Sequence, residues 1–182
     1  VAAGRPKATL PEPLQRLIRE VPDFPTPGVL FRDITPLLAD PEGLAASVAG
    51  LAELASDLDP HYVVAAEARG FLLGPALALA LGAGFVLARK PGKLPRATVS
   101  VTYELEYGKD GLELHADSFP AGAAVLVHDD LLATGGTAAA LAQLVERTGG
   151  RVVGFSFLVE LVGLGGRERL GGRPVEALLQ LG

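Results

Sequence analysis

The run Val125-Leu126-Val127-His128-Asp129-Asp130-Leu131-Leu132-Ala133-Thr134-Gly135-Gly136-Thr137 constrains the fold more than any other stretch of the chain. An apolar strand, Ala123 to Val127, delivers two adjacent carboxylates to its C-terminal edge, and a Thr-Gly-Gly-Thr loop then opens a helix. A strand that is apolar at successive positions is covered on both faces, which points to a parallel sheet between helices. In open α/β sheets, ligands bind at the C-terminal edge of the strands. Backbone N–H groups at a helix N-terminus favour an anion, and glycines let the backbone close around it.

The rest of the chain repeats this alternation. Tyr62 to Ala66, Phe85 to Ala88, Val152 to Val159 and Val175 to Leu179 read as strands. Glu12 to Val21 reads as a short helix with Leu14, Leu17, Ile18 and Val21 on one face. Pro22 to Gly28 is too proline-rich for helix or central strand and reads as an ordered loop. Asp40-Pro41 offers an N-cap and an N1 proline to a helix burying Leu44, Val48, Leu51 and Ala55. Thr137 to Arg147 predicts a helix burying Ala138, Leu141, Ala142 and Val145, ended by Gly149-Gly150. Glu67-Ala68-Arg69-Gly70 is a tight connection into a further helix. Phe71 to Ala88 carries no charge, but Gly74-Pro75 and Gly82-Ala83-Gly84 break it into helix, turn and strand, so no membrane span is expected. Between Lys90 and Asp117, Val99 to Tyr107 alternates like a β-arm and Gly108 to Gly111 reads as a hairpin turn. No repeat or linker divides the 182 residues, so one α/β domain with a mostly parallel central sheet flanked by helices is expected.

Composition removes several function classes. Cysteine is absent, which excludes disulfides, thiolate nucleophiles and Cys-ligated metals. A net charge of −5 argues against a nucleic-acid partner held by phosphate contacts. Val1 to Thr9 is followed by no long apolar stretch, so no secretory leader is expected. His61 and His115 stand at no metal spacing and read as surface or strand-end residues.

A phosphate on Thr134 to Thr137, with sugar hydroxyls or Mg²⁺ on Asp129 and Asp130, suggests a ribose phosphate. The loop is not a Walker A loop, which needs Lys before the final Ser/Thr, and it is not G-x-G-x-x-G. The bland alternative is a polar turn before a Thr-capped helix. The acidic pair on the strand end weighs against it.

Val125 to Thr137 resembles the phosphoribosyl-pyrophosphate signature of the type I phosphoribosyltransferases. Further blocks resemble the adenine-specific members: Phe24-Pro25-Thr26-Pro27-Gly28-Val29-Leu30-Phe31-Arg32-Asp33-Ile34-Thr35-Pro36-Leu37, Arg69-Gly70-Phe71, Arg89-Lys90, Gly92-Lys93-Leu94-Pro95, Tyr103-Glu104-Leu105-Glu106-Tyr107-Gly108 and Leu158-Val159-Glu160-Leu161. The resemblance spans roughly 24–180. It implies transfer of the 5-phosphoribosyl group from phosphoribosyl pyrophosphate to adenine, giving AMP and pyrophosphate, with Mg²⁺, in a cytoplasmic homodimer of purine salvage that touches neither nucleic acid nor membrane. It also implies a small N-terminal hood over 1–36 and a mobile catalytic arm over 90–117.

By resemblance, Asp129 and Asp130 face the ribose and its metal, and Ala133, Thr134, Gly135, Gly136 and Thr137 bind the 5′-phosphate. Glu67, Ala68 and Arg69 form the pyrophosphate turn, where the family often has a non-proline cis peptide, and Lys90 and Lys93 add cations. Displacing pyrophosphate builds positive charge on the sugar and negative charge on the leaving group, which these groups would balance. Glu106 is the proton-handling residue, because a carboxylate at the imidazole edge assists N9 as it becomes a nucleophile. Glu104 points the same way on a strand, so spacing alone does not choose between them. Tyr107 closes over the sugar. Leu30, Phe31 and Arg32 read the base and Leu161 packs on its face, although core packing would equally explain Phe31 and Leu161. His128 stands where the family usually has an aliphatic residue, and Pro91 where a basic one is common. Two rivals are a phosphoribosyltransferase for another purine base and a non-catalytic sensor of phosphoribosyl pyrophosphate. The early Phe-Pro to Arg-Asp block disfavours the first; the net charge, the absence of room for a DNA-binding domain and the presence of Glu106 disfavour the second.

Overall fold

Burial of four consecutive residues, Val63 to Ala66, makes β3 (Tyr62–Ala66) an interior strand, and the rest of the sheet is built outward from it. The computed structural model describes residues 12–105 and 108–182. Chain contacts divide it into two compact units, Val1–Gly50 and Leu51–Gly182.

The first unit holds α1 (Glu12–Arg16), β1 (Arg19–Pro22), β2 (Leu30–Asp33), α2 (Thr35–Ala39) and most of α3 (Pro41–Ala55). β1 and β2 pair antiparallel, Arg19 opposite Asp33 and Pro22 opposite Leu30. The single helix expected over Glu12 to Val21 is therefore corrected to one short helix and a strand. Val21 and Pro22 take part in β pairing, which overrides a weak helical periodicity. The intervening loop is ordered as expected: the Gly28 N–H donates to Asp23 Oδ1 at 2.8 Å, and Phe24 packs edge-on against Phe31 with ring centroids 5.1 Å apart. Asp40 caps α3 by accepting from the Gly43 N–H at 2.6 Å. The buried face of α3 is rotated from the expected one. Gly43, Ser47, Leu51 and Ala55 are buried, while Leu44 and Val48 are half-buried.

The second unit carries a five-stranded parallel sheet in the order β4-β3-β7-β8-β9, with β4 (Gly84–Ala88), β7 (Ala124–Leu132), β8 (Arg151–Leu161) and β9 (Val175–Leu181). Helix α4 (Gly74–Leu81) connects β3 to β4, and α5 (Gly136–Arg147) connects β7 to β8. Each of β7, β8 and β9 runs further than the sequence pattern predicts, and β7 extends past both acids to Leu132. One side of the core joins Val64, Val125, Val127, Phe155 and Phe157 to Ala138, Leu141, Ala142 and Val145 of α5. Burying side chains of that size stabilises by roughly 2–3 kcal/mol each. On the other side, Gly70 and Gly74 let the chain approach Ala65; an added Cβ would stand 3.1 and 3.3 Å from the Ala65 Cβ.

The arm is a two-stranded antiparallel hairpin, β5 (Thr98–Leu105) and β6 (Gly108–His115). Gly108 to Gly111, expected as a turn, is instead the first half of β6, with Gly111 opposite Thr102. Val101, Leu112 and Leu114 enter the same core as α5, so the base of the arm is packed.

Candidate active site

The strand order reverses between β3 and β7, and the crevice beyond their C-terminal ends is where an open α/β sheet binds its ligand. A cis peptide joins Glu67 to Ala68 just after β3, and the chain then turns through Arg69–Phe71. Arg69 Nε lies 3.0 Å from Asp130 Oδ2, and the Asp130 N–H donates to Asp129 Oδ1 at 3.0 Å. Gly70 makes this approach possible, since a Cβ there would stand 3.0 Å from Asp129 Oδ1. Burial raises the Asp129 carboxyl above its usual range, and the neighbouring Asp130 charge adds to it. Burial raises Asp130 too, opposed by the Arg69 guanidinium. Two desolvated acids side by side favour a cation or hydroxyl donors between them.

No group of three or more His, Cys, Asp or Glu residues with metal-binding geometry occurs among the described residues. Two carboxylates with substrate oxygens completing the sphere is a donor set that suits Mg²⁺, which keeps most of its ligands as water or phosphate. The pair therefore fits the ion.

The loop after β7 is walled on its inner side. Gly135 has φ +79°, and a Cβ there would stand 2.7 Å from the Gly166 carbonyl oxygen. A Cβ on Gly166 would in turn stand 2.3 Å from the Ala133 carbonyl oxygen. Glycine at both positions lets two backbones lie against each other. Gly136 opens α5, Thr137 is half-buried and Thr134 is exposed, so the outer side of the loop remains accessible. Behind Gly166, Arg167 grips the buried Glu160 with two bonds of 2.6 and 2.7 Å and donates to the Val175 carbonyl at 2.7 Å. Gln180 donates to the same carboxylate at 3.0 Å. Hydrogen bonds from Arg167 hold the Glu160 carboxyl below its ordinary value, outweighing burial.

In the turn after β3, Glu67 faces Arg89, with both contacts at 3.1 Å, and accepts from the Lys90 N–H at 3.0 Å. These bonds, Arg89 foremost, hold its carboxyl below the usual range. Lys90 Nζ pairs with Asp110 of β6, whose carboxylate also accepts from the Tyr103 hydroxyl at 3.2 Å and the Gly111 N–H at 2.8 Å. Burial raises the Tyr103 phenol above its ordinary value, opposed by the Thr137 hydroxyl and reinforced by Asp110 and Asp129. Lys93 is exposed at the turn.

Residues 38–169 match the family model of the phosphoribosyl transferase domain. The chain is 59% identical over 157 residues to the adenine phosphoribosyltransferase of Rubrobacter xylanophilus, covering 86% of this chain and 85% of that one. The chain belongs to the adenine phosphoribosyltransferases. The crystal structure of adenine phosphoribosyltransferase from Thermoanaerobacter pseudethanolicus superposes with a TM-score of 0.91 at 49% identity, covering 93% of this chain and 99% of that one. That of the Saccharomyces cerevisiae adenine phosphoribosyltransferase, complexed with D-2,5-dideoxy-2,5-imino-altritol 1,6-bisphosphate and adenine, gives 0.86 at 41%, covering 92% and 97%.

Within this phosphoribosyltransferase, Arg69, Asp129, Asp130 and the loop from Ala133 to Thr137 come together at one sheet edge. Leu161, half-buried, ends β8 at that same edge. Glu106 and Tyr107 lie outside the described residues. Leu30 is exposed, Phe31 and Arg32 are half-buried on β2, and Arg32 pairs with Glu20 of β1. His61 precedes β3 and His115 ends β6, as strand-end residues should. His128 is fully buried, neither ring nitrogen has a hydrogen-bond partner, and burial pushes its pKa down to about 4. It is a neutral core residue at neutral pH. Sequence reasoning missed the Glu160–Arg167–Gln180 clamp and the Tyr103–Asp110 tie. The first had a signal: an acid inside the otherwise apolar run from Phe155 to Leu161 needs a buried partner.

Proposed function

We infer that the chain is a purine-salvage transferase that moves the 5-phosphoribosyl group of phosphoribosyl pyrophosphate onto adenine, giving AMP and pyrophosphate. The observation that carries the reading is the juxtaposition at the switch point: a guanidinium, two desolvated carboxylates and an accessible Gly-Gly helix start at one edge. Thr134 to Thr137 seat the 5′-phosphate through backbone N–H groups and hydroxyls. Asp129 and Asp130 hold the ribose hydroxyls and are the residues that would hold Mg²⁺, which supplies charge neutralisation to the departing pyrophosphate.

The leaving group is met by Arg69, the backbone of Glu67-Ala68 and the cations Lys90 and Lys93, while the negative acids stabilise positive charge growing on the sugar. Glu67 serves this role through its backbone, because its carboxylate is committed to Arg89. Glu106 handles the adenine proton and Tyr107 covers the sugar. Leu30, Phe31 and Arg32 read the base, and Leu161 packs on it. The early hood, the mobile arm, single-domain organisation, cytoplasmic location and a homodimer belong to the same reading. Among the described residues, no helix is long and apolar enough to cross a membrane.

AMP synthesis should appear with adenine and phosphoribosyl pyrophosphate and be at least a hundredfold weaker with hypoxanthine or guanine, a gap of about 2.7 kcal/mol that hydrogen-bond mismatch readily supplies. The double variant Asp129→Asn/Asp130→Asn should lose most turnover. Equal rates on all three bases would overturn the adenine assignment, and a fully active double variant would overturn the site.

A further inference from the structure

We propose that Arg169 is a further phosphate-binding residue, its guanidinium supplying the side-chain cation for the 5′-phosphate on Thr134 to Thr137. Nothing in the loop itself carries positive charge, since Ala133 to Thr137 contains no Lys or Arg and the first turn of α5 adds none. A phosphate there would rest on neutral donors alone. Arg169 lies beside them: its Cβ is 3.4 Å from where a Cβ of Gly135 would stand, and its Nη1 is 3.9 Å from where a Cβ of Gly136 would point. The backbone end of the Arg169 side chain thus lies on the walled side at Gly135, and its guanidinium reaches Gly136, which opens α5 on the accessible side.

Four other cations of this edge are committed, and Lys93 lies at the turn after β4 rather than beside the loop. Arg69 pairs with Asp130, Arg89 with Glu67, Lys90 with Asp110 and Arg167 with Glu160. Arg169 makes no ion pair among the described residues, and its side chain is exposed. Its position is nonetheless imposed by the fold. The Gly135–Gly166 backbone contact and the bidentate Arg167–Glu160 clamp fix the chain on the residues just before it, and Leu170 just after it is buried. A guanidinium carried on a fixed backbone beside the loop can meet a phosphate with charge-assisted bonds. Arg167 and Glu160 are then positioning residues for Arg169.

This proposal rests on the phosphoribosyl reading, and calorimetry separates the two. Ribose 5-phosphate and inorganic pyrophosphate are titrated into the full chain, Arg169→Ala, Arg169→Lys and Arg151→Ala, the last removing a charge from the opposite sheet edge. Arg169→Ala should weaken ribose 5-phosphate by about tenfold while pyrophosphate changes by less than about twofold. KM for phosphoribosyl pyrophosphate should rise to a similar degree with kcat held within about twofold, Arg169→Lys should recover part of the loss, and Arg151→Ala should bind like the parent. Unchanged ribose 5-phosphate affinity in Arg169→Ala would overturn the proposal, as would equal weakening of both ligands. A parent chain that binds pyrophosphate but no ribose 5-phosphate would overturn the phosphoribosyl reading beneath it.

Discussion

The loop from Ala133 to Thr137 and the β5–β6 arm are held in different ways. The loop from Ala133 to Gly136 is fixed by backbone against backbone: Gly135 on Gly166 and Gly166 on Ala133, with a buried bidentate ion pair behind them. The arm is packed at its base by Val101, Leu112 and Leu114, but its polar side is tied by side chains that solvent reaches. Lys90 is 40% exposed and its partner Asp110 is 23% exposed. Backbone contacts admit one arrangement, whereas partly exposed ion pairs are worth about 0–1 kcal/mol and exchange partners readily. On the proposed reading, the 5′-phosphate would meet the first kind of structure and the departing pyrophosphate the second.

The largest effect should come from breaking the rigid half. Gly135→Val combines a left-handed φ that side chains rarely adopt with a Cβ driven into the Gly166 backbone. Ribose 5-phosphate binding should weaken at least a hundredfold, about 2.7 kcal/mol, in calorimetry on protein shown by near-UV circular dichroism to be folded. Gly136→Ala should cost far less, because the nearest atoms to its Cβ are 3.9 and 4.0 Å away. Equal losses in the two variants would remove the distinction drawn for the loop. Next in size is Glu106, the proton-handling acid of the proposed reading. Glu106→Gln should lower kcat and kcat/KM together by about 10²–10⁴-fold in single-turnover measurements, and Glu104→Gln should stay within roughly tenfold of the parent. A crippled Glu104→Gln beside an active Glu106→Gln would reverse the assignment.

The same contrast sets what the sequence discloses. The parallel sheet, and the acids and loop at its C-terminal edge, were legible because Val125 to Thr137 encodes strand, acids, loop and helix in consecutive residues. Ala138, Leu141, Ala142 and Val145 keep a helical period that survives folding. Features made by residues far apart were not legible. Asp110 meets Lys90 across twenty positions, and Gln180 meets Glu160 across as many. Val21 carried a helical pattern that pairing with β2 overrode. Pro91 shows how a departure becomes readable only in three dimensions: its ring packs against Gly111, where an added Cβ would stand 3.0 Å from Cγ.

The smallest effect tests whether the arm's ties yield to substrate. Asp110 neutralises Lys90 while accepting from Tyr103 and the Gly111 N–H. Asp110→Asn keeps the side chain's size and removes its charge, leaving Lys90 without a fixed counter-charge. A pair this exposed adds little to folding, so the melting temperature should change by no more than a few degrees. If Lys90 turns to pyrophosphate during the reaction, Asp110 competes with the substrate for it. KM for phosphoribosyl pyrophosphate should then fall by about two- to fivefold in Asp110→Asn with kcat nearly unchanged, and Lys90→Ala should raise it. Added salt should narrow the difference between parent and Asp110→Asn, because it screens the pair being compared. Should KM instead rise in both variants, Asp110 holds Lys90 ready rather than holding it back. The arm would then be as preorganised as the loop, and the comparison between them would fail on its weaker side.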